Sequence, residues 1–534
     1  MGRKSRILVN SEYSQLTSGY SRVAKEILTR LHSKGKYEIA EFASYASPDD
    51  PNIHKLPWKV YPILPSSSNQ NEVNEYNSHP HNPSGRHKFA PVALDFEPDI
   101  VLTYRDYWYD HHIHTCPYRR FYNIIWINPV DSLPQAPEWI DDVVDSEACF
   151  TYTDFGHDVL KAQCPNENNL FGPFRLSADT KSFYPIFNKN KIKEHFNFED
   201  DSLIVGFVAR NQYRKLFDEI FRAFTLFLEK APSDLASRVY LYIHSGWPDI
   251  HLKFPQILNE YGISNKVLFT YFCKQCHNIF PSVYSDMTCV CKHCNGPASL
   301  PRPSDNALDE SKLNVIYNFF DLYIANFTNE GIGLPPLEAM CCAVPTMITN
   351  FSGAEDLVKL CGAIPLEPLE LRREAELHRL LAVPNNIDLA GKLVEVLSLP
   401  NMIRRRLGFE QYLKATQVFN WDNEVLKLED CIDKLPQKLW ANPINNLIQP
   451  DTKIPDNLTP NQYIWWLYHK IEGRPDLFNR FEGLQKIHNL MMGYSGQKPN
   501  FGPYNKQIAL TEAISNSKYN NELELNRLKK FKLV

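Results

Sequence analysis

The chain has 534 residues, 57 Lys and Arg against 62 Asp and Glu for a formal charge of −5, and 43% apolar positions. At roughly 100–200 residues per domain this makes two or three domains, each able to bury a core, and excludes disorder as the main theme. No apolar stretch approaches the ~18 residues of a membrane span, the run in MGRKSRILVNSEYSQ is too short for a secretory leader, and Arg6 stands where a myristoylation signal needs Ser or Thr. A cytoplasmic chain with no membrane span and no lipid anchor is expected.

Up to about residue 175, short apolar runs alternate with helical stretches. Strands are expected at Ile7–Val9, Tyr37–Phe42, Ile100–Tyr104, Asn123–Ile127 and Ala148–Tyr152, with a helix over Ser21–His32. Such alternation implies right-handed βαβ crossovers and a parallel sheet. The polar segment from Ser66 to Lys88, rich in Asn, Ser and Pro, is expected to be a long surface loop. After a link around Pro165–Lys193 the alternation restarts, with strands at Leu203–Val208, Val239–His244, Val267–Tyr271, Leu322–Ala325 and Pro345–Ile348. Helices are expected at Leu216–Lys230, Phe254–Tyr261, Leu313–Phe320 and Pro335–Cys342. The fold expected is α/β, two facing Rossmann-like, doubly wound domains over 1–180 and 195–420, with a cysteine-rich insertion over 271–310 and a helical extension over 421–534. In that extension the aromatic run Tyr463–Tyr468 reads as a partner face or as packing against the first domain.

Of 12 cysteines, five fall between Cys273 and Cys294, where an even spread would place fewer than one. Cys273, Cys276, Cys291 and Cys294 form a C-x2-C-x14-C-x2-C array. That spacing lets two knuckles bring four thiolates into a tetrahedron, a closed structural zinc site in a reducing compartment. A segment of this size cannot order itself at ~1–2 kcal/mol per residue, whereas structural zinc supplies roughly 10–16 kcal/mol. Cys289, His277 and His293 are spare ligand candidates. The insertion leaves the carboxyl end of a strand, the edge from which such sheets present ligand loops, so it is expected to overhang the cleft or shape access to it.

The segment NEGIGLPPLEAMCCAVP, Asn329–Pro345, carries most of the functional information. Glu330 and Glu338 are separated by seven residues that include Gly331 and Gly333, with a helix starting near Pro335. Glycines let backbone approach a ligand, and a helix start aims free N–H groups and a positive dipole end at an anion such as a diphosphate. Carboxylates on either side of the turn can accept hydroxyl donors from a sugar ring. Upstream, Arg210 and Lys215 in GFVARNQYRK follow the first strand of the second domain. Two cations there would stabilise a departing diphosphate without a metal. Arg214 is expected to be a solvated surface charge.

These motifs resemble those of the retaining glycosyltransferases of family 4, whose signature runs approximately EGxGLxxLEAMxxGxPV and whose fold is GT-B. Ala343 stands where that family usually has glycine. The resemblance implies that Glu330 contacts the donor sugar, that Glu338 contacts the nucleotide ribose, and that Arg210 and Lys215 hold the donor diphosphate. It places Gly331, Ile332, Gly333 and Leu334 in the donor-binding turn. Gly19, in TSGYSR, is the single glycine where the family has a glycine-rich turn, and Asp131, in NPVDSLPQAPEW, would face the donor sugar or act as a turn residue. TYTDFGHDVL, Thr151–Leu160, resembles a strand-to-helix segment with a structural role. His111, His112 and His114 follow the strand at Ile100–Tyr104 as an acceptor-contacting or surface cluster, with metal ligation as the lesser alternative, and Cys341 and Cys342 read as core cysteines.

What the resemblance implies is transfer of a hexose-type sugar from a UDP- or GDP-sugar to an acceptor hydroxyl by front-face chemistry. The acceptor stays open among glycan, lipid-linked, protein and modified-nucleobase classes, as does the oligomeric state. The competing reading is a zinc-ribbon nucleic-acid-binding protein, or a glycosyltransferase acting on modified bases. From Tyr271 to Asp305 the side chains sum to +1, with Lys274, Lys292 and Arg302 against Asp286 and Asp305, and four thiolates on one zinc add −2. This is a poor footprint for a phosphate backbone.

Overall fold

The computed structural model describes residues 3–440, apart from 117, 166, 247, 248, 250, 251, 302–307, 376 and 439. The run Tyr463–Tyr468 and most of the expected extension over 421–534 lie outside the described residues.

The first sheet has seven parallel strands, β1 (Arg6–Glu12), β2 (Glu38–Ser44), β3 (Lys59–Pro62), β4 (Ile100–Thr103), β5 (Asn123–Asn128), β6 (Ala148–Thr151) and β7 (Leu170–Pro173). Their order is β3-β2-β1-β4-β5-β6-β7. β4, β5 and β6 are buried along their whole length, as near-continuous apolar runs require when helices cover both faces. The order reverses at β1, so a crevice opens where the carboxyl ends of β1 and β4 part. β1 feeds the helix Gly19–Ser33, capped by the Ser18 side chain accepting from the Ser21 N–H. The loop expected over Ser66–Lys88 instead contains the helix Gln70–Asn77. Asn69 caps it by accepting from the Glu72 N–H at 3.3 Å, so the asparagine that read as loop chemistry starts a helix.

The second sheet is built on β8 (Leu203–Val208), β9 (Val239–His244), β10 (Val267–Cys273), β11 (Ile279–Val283), β12 (Thr288–Val290), β13 (Pro297–Ser299), β14 (Leu322–Ala325), β15 (Thr346–Thr349) and β16 (Ile364–Leu366). β8 pairs with β9 on one side and β14 on the other, which makes it the switch point of this sheet.

The cysteine-rich insertion is continuous with this sheet. β11 pairs with β10 from Leu268 to Phe272 and occupies that whole edge. β9 and β13 therefore share the opposite edge of β10, β9 at Val267–Phe269 and β13 at Phe272–Cys273. This sets β13, with β12 beside it, beyond the carboxyl end of β9, on the rim where sheets of this kind present ligand loops.

A hairpin of β17 (Glu370–Arg373) and β18 (Leu380–Val383) reaches from the second unit to the first. The Leu380 N–H donates to the Leu133 carbonyl at 2.7 Å, and the Ala382 N–H to Thr328 at 2.9 Å. The chain then returns to the first unit. Helix Trp421–Lys434 lies on Gly19–Ser33 through Arg30–Asp422 at 2.8 Å and Lys34–Glu429 at 3.1 Å. Trp440 joins the first core beside Phe121, with Nε1 donating to the Pro98 carbonyl at 2.8 Å.

Candidate active site

The two switch points face each other, and the loops leaving β1, β4, β5, β8 and β14, with the hairpin β17–β18, supply the charged groups of the cleft between them. Glu330 stands in the loop after β14, 6% exposed. Its backbone is fixed on both sides. Its N–H donates to Ser352 Oγ at 2.9 Å, and its carbonyl accepts from the Gly353 N–H at 3.0 Å. A Cβ on Gly353 would stand 1.9 Å from the Gly331 carbonyl oxygen, so only glycine lets the two loops approach. Neither Ser352 nor Gly353 was singled out from sequence. The signal available was a short Ser-Gly turn after a buried strand.

Arg214 and Lys215 both bond Glu330 Oε1. Burial pushes the Glu330 carboxyl up, but the two cations outweigh it and hold it below the usual glutamate range. Burial lowers the Lys215 ammonium to about 8, against the pull of Glu330. Arg214 is therefore a member of the cleft and not the solvated charge expected. The 3₁₀ turn Tyr213–Lys215 turns it inward, and the Thr328 N–H donates to the Arg214 carbonyl at 3.0 Å. Arg210 is directed elsewhere, to Asp249 Oδ2 at 3.1 Å, and its side chain is 54% exposed at the mouth of the cleft.

Glu338, on helix Leu334–Cys341, is buried with both oxygens engaged. Tyr317 donates to Oε2 at 2.6 Å, and Arg22, from the first turn of Gly19–Ser33, reaches Oε1 from across the cleft. Gly333 caps this helix at φ +80°, a conformation a side chain would strain. Ile332 is buried, and Gly19 faces Leu334, a Cβ there standing 3.8 Å from Leu334 Cδ1. Gly19 and the Gly331–Leu334 turn thus lie on opposite sides of one cleft.

Asp131 lies beside Glu330, its Oδ2 accepting from Asn329 Nδ2 and its Oδ1 3.6 Å from Arg379 of the hairpin. Burial raises its carboxyl, opposed by Arg379. Asp106, at the carboxyl end of β4, accepts from the Tyr20 hydroxyl at 2.8 Å. Burial pushes it up to about 7. Position after a switch-point strand was its only sequence signal. Asp356 accepts the Asp154 N–H at 2.8 Å, so the Thr151–Leu160 segment meets the second unit at a helix start.

The three histidines do not converge. His111 and His114 pair with Asp142 and Asp145, each at 2.9 Å, and His112 is half-buried with Nδ1 3.0 Å from the Tyr109 carbonyl. Cys341 and Cys342 are core residues, 2% and 0% exposed.

The sulfurs of Cys273, Cys276, Cys291 and Cys294 all lie within 4.8 Å of one another. Cys273–Cys294 is 3.5 Å and Cys276–Cys291 is 3.7 Å. A tetrahedron with Zn–S of about 2.3 Å has edges of about 3.8 Å, so the set fits that ion. His277 and Asn295, each following the second cysteine of a knuckle, share left-handed φ values of 57° and 58°. Cys289, His277 and His293 are outside the group.

Two facing doubly wound α/β units, a cleft between their switch points and a C-terminal helix returning to the first unit define the GT-B fold. Solved structures of that fold superpose on most of the chain. A sucrose-phosphate synthase from Thermosynechococcus elongatus aligns over 81% of this chain and 99% of its own, with a TM-score of 0.55 and 14% identity. HepE from Anabaena, in complex with UDP and glucose, aligns over 81% and 100% with a TM-score of 0.53 and 12% identity. An E. coli trehalose-6-phosphate protein bound with UDP-2-fluoro glucose aligns over 81% and 100%, at a TM-score of 0.53 and 12% identity. No protein-family model matches the chain, and no curated sequence does. Among the described residues no helix is long and apolar enough to cross a membrane.

Proposed function

We propose that the protein is a retaining glycosyltransferase, similar to family 4, that moves a hexose-type sugar from a nucleotide-diphosphate donor to an acceptor hydroxyl. The observation that carries this reading is the pair Glu330 and Glu338, set around one helix start at the switch-point cleft with Lys215 and Arg214 on the first of them. UDP and a UDP-sugar in two structures of the same fold support a nucleotide-sugar donor, UDP- or GDP-linked. The unit over 195–420 then serves the donor, and that over 1–180 the acceptor.

In this reading the anomeric C–O bond to the diphosphate breaks as the acceptor oxygen bonds the same face, and a donor phosphate oxygen takes the acceptor proton. Lys215 and Arg214 stabilise the charge growing on the leaving diphosphate, joined by Arg210 when it exchanges Asp249 for the phosphates, and the Gly331–Leu334 turn adds its helix dipole. Glu330 orients the sugar and Glu338 binds the ribose. Asp131 lies across the cleft on the sugar side. These roles assign no chemical step to a metal. Zinc on Cys273, Cys276, Cys291 and Cys294 would have a structural role, bracing the rim beyond β9 in a cytoplasmic, reducing setting.

The test is a screen of sugar nucleotides for thermal stabilisation, followed by donor hydrolysis with the one that binds. Glu338→Ala should raise the nucleotide Kd by about 10–100-fold, the loss of one or two hydrogen bonds to a charged group. A variant that binds and uses the donor like the parent would sink the assignment.

A further inference from the structure

The Glu330 loop is tied to the first unit by a side chain that the proposed chemistry leaves unused. Asp356, on helix Glu355–Cys361 of the second unit, is 1% exposed, and its carboxylate faces the start of the first-unit helix Asp154–Gln163. Oδ2 accepts the Asp154 N–H at 2.8 Å, and Oδ1 accepts the Phe155 N–H at 3.4 Å. Thr153, the residue before the helix, accepts the Gly156 N–H at 3.2 Å. The first turn of that helix is thus capped once by its own residue and twice by a carboxylate from the other unit, at the end where the helix dipole favours negative charge.

Both ends of this contact run into the site. On the second-unit side, Asp356 follows the turn Ser352–Ala354, in which Ser352 Oγ accepts the Glu330 N–H and the Gly353 N–H donates to the Glu330 carbonyl. Ser352 has φ +57°, so the turn is held in a conformation its own sequence disfavours. The rings of Phe155 and Phe351 meet across the units at 6.1 Å. On the first-unit side, a Cβ on Gly156 would stand 3.0 Å from Val130 Cβ, so the helix start rests on the residue before Asp131. Asp356 therefore joins the loop that carries Glu330 to the loop that carries Asp131.

Its place in the fold separates it from the contacts that a donor would displace. Arg22 on Glu338 and Asn329 on Asp131 cross between the units among the groups assigned to the donor. Asp356 instead bonds backbone, beside the two points where the chain passes between the units. Arg175, just past β7, donates to Asp154 Oδ2 at 2.7 Å, and its N–H donates at 3.1 Å to Glu424 Oε2 on the returning helix Trp421–Lys434. A donor that exchanges Arg22 or Asn329 for its own hydroxyls leaves this cap in place.

We propose that Asp356 is a positioning residue: by capping helix Asp154–Gln163 from the second unit it sets Glu330 against Asp131, and so fixes the reacting geometry of the cleft without taking part in nucleotide binding. Its effect on turnover rests on the glycosyltransferase reading, whereas the coupling of Asp356 to the Glu330 loop does not.

Hydrogen exchange of the full chain, followed by mass spectrometry, reads the coupling directly. Asp356→Ala should speed exchange by about tenfold both in peptides that span Asp154 and Phe155 and in peptides that span Glu330. Asp356→Asn, which keeps the shape and one acceptor oxygen, should recover part of the protection, and it carries the same comparison if the alanine variant does not fold. With a sugar nucleotide that the parent turns over, kcat should fall by about 10–100-fold in Asp356→Ala, as a displacement of ~1 Å at the reacting groups can cause, while the Kd of the nucleotide diphosphate changes less than about threefold. Ser352→Ala acts on the same brace, so the double variant with Asp356→Ala should lose no more than the worse single variant. Unchanged exchange at Glu330, a nucleotide Kd that rises as steeply as kcat falls, or losses that multiply in the double variant would overturn the proposal. If the parent neither binds nor turns over any sugar nucleotide, the transferase reading falls, and exchange at Glu330 alone decides whether Asp356 governs that loop.

Discussion

Ala343 has φ +53°, the left-handed region that L side chains avoid, at the position where the resembled signature has glycine. It turns the chain out of helix Leu334–Cys341 into β15. Ala343→Gly relieves the Cβ clash but adds unfolded-chain entropy, so a net gain of about 0.5–1 kcal/mol is expected, read as a raised denaturant midpoint with the slope unchanged. Lys215 gives the pH dependence of the site. Its ammonium, lowered to about 8, is charged below that pH and neutral above it. Donor affinity should be level on the acid side and fall by up to about tenfold per pH unit on the alkaline side, until the pKa of the donor-bound lysine is passed. Lys215→Arg, charged throughout, should remove that slope, and calorimetric titration of the nucleotide diphosphate across pH 7–10 checks it.

At the scale of elements, the ribbon β11–β13 is the part of the second sheet that a zinc ion on the four cysteines would order. Two of its strands have three residues each, and the four sulfurs join its two knuckles beside the short β10–β13 pairing at Phe272 and Cys273. One zinc per chain is expected by elemental analysis. Cys291→Ser with Cys294→Ser should abolish it and lower the melting temperature, while nucleotide affinity, which the proposed function assigns to β8, β14 and the helix after β14, should change less than about threefold. Zinc retained in that double variant, or nucleotide binding lost from a still-folded one, would contradict the structural role. The hairpin β17–β18 works differently, since its backbone bonds reach both Leu133 and Thr328 and it presents Arg379 to Asp131. It covers the Asp131 side of the cleft.

For the whole molecule, the contacts across the cleft bear on how a donor would enter under the proposed function. Arg22 occupies the Glu338 oxygen that the proposal gives to the ribose, so donor and first unit compete for one carboxylate. Breaking this largely buried ion pair costs about 1 kcal/mol or more, and Arg22→Met removes the competitor before the donor arrives. Nucleotide diphosphate should bind that variant roughly fivefold more tightly. Unchanged or weaker binding would mean that Arg22 contributes to donor contact instead. The return of helix Trp421–Lys434 to Gly19–Ser33 ties this competition to the relative position of the two units.

Much of this was legible in the sequence because it is local. Buried parallel strands read as apolar runs, so β1, β2, β4, β5, β6, β8, β9, β14 and β15 stand within a few residues of their expected places. The C-x2-C pairs and the E-x7-E turn have fixed spacings that imply their geometry. Short or partly exposed elements gave no such signal. β3 and β7 are four residues each, and the helix Gln70–Asn77 has no buried residue to set a period. What sequence alone determined is the two-unit α/β architecture, the candidate carboxylates and cations, and four cysteines at metal spacing. Only the tertiary structure decided that Arg214 joins Lys215 on Glu330, that Arg22 crosses to Glu338, that Ser352 and Gly353 brace the Glu330 loop, and that Cys289 stays out of the thiolate set. These are meetings of side chains distant along the chain. Sheet order and the facing of two switch points create them, and spacing along one strand or helix carries no trace of either.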